Sequence, residues 1–180
     1  MPQIAMLIGS LRRESINRKL GHAIRKRMAD RFDIVIPDLD LPLYNEDLWA
    51  DPPAGVTALK QTVEAADGII VVTPEYNRMT TPIIVNAIDW ANRPYGKNSY
   101  AGKPAATIGA SPGAQGTAVA QNLVRNLMMI AGMHVMGNPE VYLTVKEDFF
   151  DAEGGFANEK TAAFVDRWIA AFETWLGRFA

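Results

Sequence analysis

The sequence predicts a three-layer α/β fold: one domain over residues 1–180, with a parallel sheet of five strands between two layers of helices. Three observations predict it. Strand-like and helix-like stretches alternate along the chain five times over. Two of the strand-like stretches, residues 4–8 and 68–72, are continuous apolar runs, the pattern of strands buried on both faces. Polar loops rich in glycine or proline follow the first, third and fourth strands, where such a sheet places its ligand.

Each element has its own warrant. Ile4 to Ile8 forms the first strand, broken by Gly9-Ser10. Ile16, Leu20, Ala23, Ile24 and Met28 mark one face of the first helix. Phe32 to Ile36 reads as the second strand, stopped by Pro37. An irregular connection follows through Leu43, Tyr44 and Asn45 to Pro52-Pro53. Val56, Leu59 and Val63 mark the second helix. Gly68 to Val72, β-branched after its glycine, is the strongest strand. Pro82 suits the first position of a third helix carrying Ile84, Ala87, Ile88 and Ala91. Pro104 to Ile108 is the fourth strand, closed by Gly109. Ala120, Leu123, Val124, Leu127 and Ile130 define a fourth helix. Val135 to Leu143 is a fifth strand, interrupted near Gly137-Asn138-Pro139. A last helix aligns Phe164, Val165, Trp168, Ile169, Phe172, Trp175 and Leu176, whose aromatic stripe belongs to the core or a subunit interface.

Composition narrows the function. A hydrophobic share of 48% over 180 residues suits a globular domain with a sizeable core. A net charge of −2 offers no field for nucleic acid or an anionic membrane. The absence of cysteine excludes disulfides, a thiolate nucleophile and Cys-ligated metal centres. His22 and His134 stand far apart without an acidic cluster, so no metal site is expected. No stretch reads as a signal peptide or a membrane span, which makes a cytoplasmic location the default.

The three loops carry the chemistry. The first, from Gly9 through Ser10, Arg12 and Ser15 to Asn17, offers hydroxyls, an amide, a guanidinium and the free N–H groups of a helix start, a donor set for a phosphate. It is neither G-x-G-x-x-G nor a triphosphate loop, so a terminal monophosphate fits better than a pyrophosphate. Ser15 as a plain helix cap is an equal alternative. The second loop, Thr73 to Pro82, is stiffened by Pro74 and Pro82 and carries Glu75, Tyr76 and Asn77. Its backbone suits the edge of a flat heterocycle that both donates and accepts hydrogen bonds. The third, from Ser111 through Gly113 to Thr117, lets backbone approach a ligand closely; taken alone, Ser-Pro-Gly reads as an ordinary turn, and the loop counts only with the other two.

With these residues in view, the chain resembles the NADPH-dependent FMN reductase family, and within it the chromate/quinone reductase branch. The resemblance covers nearly the whole chain and rests on GSLRRESIN, LPLYNED, ADGIIVVTPEYN, NAIDW, AGKPAATIGASPGAQG and FDAEGGF. It implies a flavodoxin-like fold, non-covalent FMN, NADPH or NADH as electron donor, and a dimer or tetramer. It implies that Gly9, Ser10, Arg12, Ser15 and Asn17 hold the FMN phosphate. Pro74, Glu75, Tyr76 and Asn77 would border the isoalloxazine chiefly through backbone, with Ser111 and Gly113 closing the other side. The chain departs from the family pattern after Pro82, where Ile83 to Asn86 lack the usual glycine and lysine, and at Gly116-Thr117, where many relatives have two glycines.

The implied reaction is ping-pong hydride transfer from nicotinamide to FMN and on to a quinone, a flavin or an oxyanion such as chromate, with no catalytic side chain required. The alternative is a flavodoxin-type electron carrier that does not itself oxidise nicotinamide; its usual strong acidity is missing here. Surplus apolar residues on the third and fourth helices (Ile83, Ile84, Trp90, Leu123, Leu127, Met128, Met129, Ile130) suggest a homo-oligomer, with Arg125 and Glu140 as polar links.

Overall fold

A computed structural model describes residues 1–179. Its order is β1 (Gln3–Ile8), α1 (Ile16–Met28), β2 (Asp33–Val35), a short 3-10 turn (Glu46–Ala50), α2 (Ala54–Ala65), β3 (Gly68–Val72), α3 (Pro82–Ala91), β4 (Pro104–Ser111), α4 (Ala118–Ile130), β5 (His134–Val135), β6 (Tyr142–Thr144) and α5 (Glu159–Leu176). All strands run parallel in the order β2-β1-β3-β4-β5, with β6 also on β4. The order reverses between β1 and β3, so their carboxyl ends open the crevice of a doubly wound sheet.

The alternation of a strand divides the core. Ile4, Met6 and Ile8 pack with Leu20 and Ile24 of α1 and with Trp168 and Phe172 of α5. Ala5 and Leu7 face the other way, onto Leu59 and Val63 of α2, Ile84 of α3 and Val124 of α4. The aromatic stripe of α5 is core: Trp168 and Phe172 stack at 6.1 Å between centroids, and both are buried.

Four sequence expectations need correction. The second strand is only Asp33–Val35. The fourth does not close at Gly109 but runs on to Ser111, because β6 gives Gly109, Ala110 and Ser111 a partner. The fifth strand is two strands, β5 and β6, separated by a detour through Pro139, so the sheet has six strands. Proline cannot donate to a ladder, which explains the break. Trp90 is not surplus apolar surface. The irregular Leu39–Ala50 connection covers it, with Tyr44 and Trp49 edge-on at 4.9 and 5.2 Å and Pro42 O accepting from its indole N–H. Asn86 fixes the same strap: its Nδ2 donates to Pro42 O, and its Oδ1 accepts from Tyr44 N. Ile84 and Met128 are buried too, whereas Met129 and Ile130 are 56% and 78% exposed. Arg125 and Glu140 pair with each other within the chain at 3.1 Å.

Candidate functional site

The three loops converge at the carboxyl end of β1, β3 and β4. Two adjoining clefts lie there. One, of about 200 Å³, is lined by Ser10, Arg12, Ser15, Asn17, Pro74 and Tyr76 among others. The other, of about 480 Å³, is bordered by Asn77, Arg78, Ser111, Gly113, Gln115 and Thr117. Glu75 and Ser111 border both. All the sequence-predicted residues except Gly9 therefore line one continuous crevice. Gly9 lies directly behind it: its carbonyl accepts from Thr81 Oγ1 at 2.9 Å. A Cβ on Gly9 would stand 2.7 Å from Ile84 Cγ1 and 2.8 Å from Thr81 Oγ1, so the turn out of β1 requires glycine.

The first loop has the chemistry of an anion cradle. Ser15 caps α1, accepting from the N–H groups of Asn17 and Arg18 at 3.2 and 3.4 Å. The capping use of Ser15 is thus real. It leaves the main-chain N–H groups of Leu11, Arg12, Arg13 and Glu14 without a protein acceptor among the described residues. Arg12 is exposed and folds back so that Nη2 donates to Glu14 O at 2.5 Å. Four free N–H groups in the loop that leads into α1, a guanidinium and the Ser10 hydroxyl suit a phosphate. Asn17 is committed elsewhere. Its Nδ2 donates to Ala110 O, and its Oδ1 accepts from Ala110 N, both at 2.9 Å.

The second loop is a miniature hairpin. Tyr76 and Met79 exchange backbone hydrogen bonds at 2.9 and 3.0 Å. Asn77 and Arg78 between them both have positive φ, 52° and 63°. That is a type I′ turn, in which asparagine is favoured and arginine strained. Behind it, Thr73 Oγ1 donates to Pro74 O and lies 2.9 Å from Thr80 Oγ1 across the stem. Glu75 turns its carboxylate inward, only 7% exposed. Burial pushes its pKa up, but hydrogen bonds from Ala120 N, Arg78 and Val119 N outweigh that and hold it below the usual carboxylate range.

In the third loop Ser111 Oγ accepts from Gly113 N at 3.1 Å, and Gly113 O accepts from Gly116 N. Thr117 is left-handed at φ 72°. Sequence reasoning missed Arg78, Gln115 and Thr117 as cleft residues. For Thr117, its place right after Gly116 was the available signal; for the other two there was none, because side chains of loops 37 residues apart meet only in the fold. No group of three His, Asp or Glu is gathered for a metal among the described residues, and no helix there is long and apolar enough to cross a membrane.

These residues fit FMN. The cradle matches one terminal phosphate, and the exposed backbone of the second and third loops matches a flat ring. Comparisons with known proteins point the same way. The pattern of the NADPH-dependent FMN reductase family matches residues 2–148. The 2-hydroxy-1,4-benzoquinone reductase of a Burkholderia species is 39% identical over 175 residues, covering 97% of this chain and 96% of that one. The solved structure of FerB, a flavoenzyme NAD(P)H:(acceptor) oxidoreductase from Paracoccus denitrificans, superposes with a TM-score of 0.97 at 42% identity, covering 99% of each chain. A flavodoxin from Pseudomonas aeruginosa shares the fold at a TM-score of 0.61 and 17% identity, covering 97% of this chain and 99% of that one. The chain therefore belongs to the NADPH-dependent FMN reductase family, and it is a flavodoxin-like oxidoreductase whose cofactor is FMN and whose electron donor is NAD(P)H.

Proposed function

We propose that this chain is a quinone reductase of ping-pong type, working as a homo-oligomer and able to pass electrons to oxyanions such as chromate as well. The observation that carries the proposal is the union, in one crevice at the switch point of the sheet, of a monophosphate cradle with two stiff loops of exposed backbone. The overall reaction is NAD(P)H plus a proton plus quinone giving NAD(P)⁺ and hydroquinone. FMN, when bound, supplies the two-electron chemistry between donor and acceptor. The chain binds, orients and excludes water. Ser10, Arg12 and the free N–H groups of residues 11–14 anchor the phosphate, and Gly9, its N–H and carbonyl bonded to Val72 O and Thr81 Oγ1, shapes the turn behind them. Pro74, Glu75, Tyr76 and Asn77 present main-chain groups along one ring edge, and Ser111 and Gly113 close the other. Donors placed there stabilise negative charge on a reduced ring. Ser15 and Asn17 hold the shape of the cradle, Ser15 through its cap and Asn17 through Ala110.

The quinone assignment draws support from the benzoquinone reductase at 39% identity. A ring laid with one face against the loops would leave its other face to serve donor and acceptor in turn. The deciding experiment starts from the purified protein. It should release FMN on denaturation, near one per chain, and oxidise NADPH or NADH with a benzoquinone and no partner protein. Bound FMN with no oxidation until a partner protein is added would make it a carrier of the flavodoxin type instead. Release of FAD, or no binding of added FMN, would remove the flavin reading.

A further inference from the structure

α4 begins without a cap of its own. Thr117, just before it, is left-handed and makes no capping bond; its hydroxyl accepts from Gln121 Nε2 at 3.0 Å. The first N–H groups of a helix need acceptors from elsewhere. Glu75 supplies them from 44 and 45 residues away, its Oε2 accepting from Val119 N and Ala120 N at 3.1 Å each. Its Oε1 accepts from Arg78 Nη1 at 2.9 Å, and the same Arg78 nitrogen donates to Gln115 Oε1. The second loop is thus tied at its stem, through Glu75, to the start of α4 and at its tip, through Arg78, to the third loop that leads into α4. The charges agree with the geometry: a carboxylate lies on the positive end of the helix dipole, and the arginine balances it. A carboxylate held by three such bonds is no ready proton donor.

We propose that Glu75 is a positioning residue whose carboxylate fastens the 73–81 loop to the N-terminus of α4, so that the two loops beside the ring end of the crevice keep one spacing and respond to a bound flavin as a single body. The ligand side of this proposal rests on the flavin reading above; the coupling of the loops does not.

The test compares wild type with Glu75→Ala, Glu75→Gln, Arg78→Ala and the Glu75→Ala/Arg78→Ala pair. Hydrogen exchange on the flavin-free protein reads the coupling, and titration with FMN and with riboflavin reads the ring end. Glu75→Ala should speed exchange together at residues 76–79 and 113–120. It should weaken FMN and riboflavin by the same factor, about ten-fold for the loss of charge-assisted hydrogen bonds, because both ligands have the same ring. The double variant should lose no more than about the worse single one, as members of one network do. If Glu75→Ala does not fold, Glu75→Gln, which keeps one acceptor oxygen and gives up the Arg78 ion pair, should show the same pattern more weakly. Faster exchange confined to Val119 and Ala120, with both flavin affinities unchanged, would reduce Glu75 to a helix cap and overturn the proposal. If wild type binds no flavin, the proposed function fails, and the exchange pattern still decides whether the loops move together.

Discussion

Asn17 on α1 and Ala110 on β4 are joined by two hydrogen bonds of 2.9 Å, one in each direction. The pairing register of β3 with β4 ends at Val72 and Ile108, so beyond that point β4 has no strand on this side. The amide of Asn17 acts there as a piece of missing strand, with one donor and one acceptor in place. It links the end of the first loop to the start of the third.

Asn17→Ala should therefore destabilise the protein although it removes only a small polar group. It leaves a buried N–H and C=O without partners, at about 1–3 kcal/mol for an unsatisfied group. At roughly 2–4 °C per kcal/mol for a chain of this size, the midpoint of thermal unfolding should fall by roughly 5 °C. Calorimetry on the flavin-free protein checks this, and an unchanged midpoint would show that water replaces the amide at no cost.

Arg12→Ala should weaken FMN far more than riboflavin. Arg12 is exposed and makes only a local contact to Glu14 O, so its loss costs the fold little. A charge-assisted contact to phosphate is worth roughly 1.5–3 kcal/mol, which is about ten- to a hundred-fold in affinity. Fluorescence titration with both flavins is the measurement; equal losses for the two would place Arg12 away from the phosphate.

The charge of Glu75 should be visible in stability against pH. Its carboxyl is held below the usual range despite burial, through Ala120 N, Arg78 and Val119 N. A group whose folded pKa is depressed contributes its full stability above its unfolded pKa, about 4.3 for glutamate. That contribution is lost as pH falls through the lower folded value. The gap in unfolding midpoint between wild type and Glu75→Gln should be constant at neutral pH and shrink below about 4.3. Hydride transfer should be largely retained in the same variant. A loss of roughly a hundred-fold or more in stopped-flow reduction, with FMN still bound, would instead make Glu75 an acid or base.

Initial rates should give parallel double-reciprocal lines for NAD(P)H against quinone, with inhibition at high acceptor. Intersecting lines would mean that donor and acceptor occupy the crevice together, and the single open face would be wrong.

Met129 and Ile130, exposed at the end of α4, are the apolar residues of that helix the fold leaves uncovered. Ile130→Asp should lower the mass seen in sedimentation while leaving the stability of the separated chain within about 0.5 kcal/mol of the wild-type value. A monomeric wild type at micromolar concentration would remove the oligomer.

The layer order and the three loops at the carboxyl end of the sheet are legible because they are written locally. Buried strands read as apolar runs, helices as 3.6-residue stripes, and loops as glycine and proline. What was not legible depends on contacts distant in sequence. Gly109 reads as a stop, yet it sits mid-strand because β6 pairs with it, and it is glycine because a Cβ there would lie 2.2 Å from Thr73 O. Trp90 reads as surplus because its cover, Tyr44 and Trp49, lies in a segment without periodicity. Asn17 reads as a phosphate ligand because nothing local marks Ala110, 93 residues on, as its partner. In the second loop the two prolines announce stiffness, but the inward turn of Glu75 depends on an α4 that lacks its own cap.

The broken fifth strand has a consequence for solubility. One margin of the sheet is β2, three residues long and opening on the exposed Asp33. The other is divided into β5 and β6, with the exposed Gly137 to Glu140 detour between them. Neither margin offers the long, flat row of free peptide groups on which a second chain could template a growing fibril. Crowded or flavin-depleted protein is therefore guarded against cross-β aggregation by the interruption that makes the fifth strand hard to read.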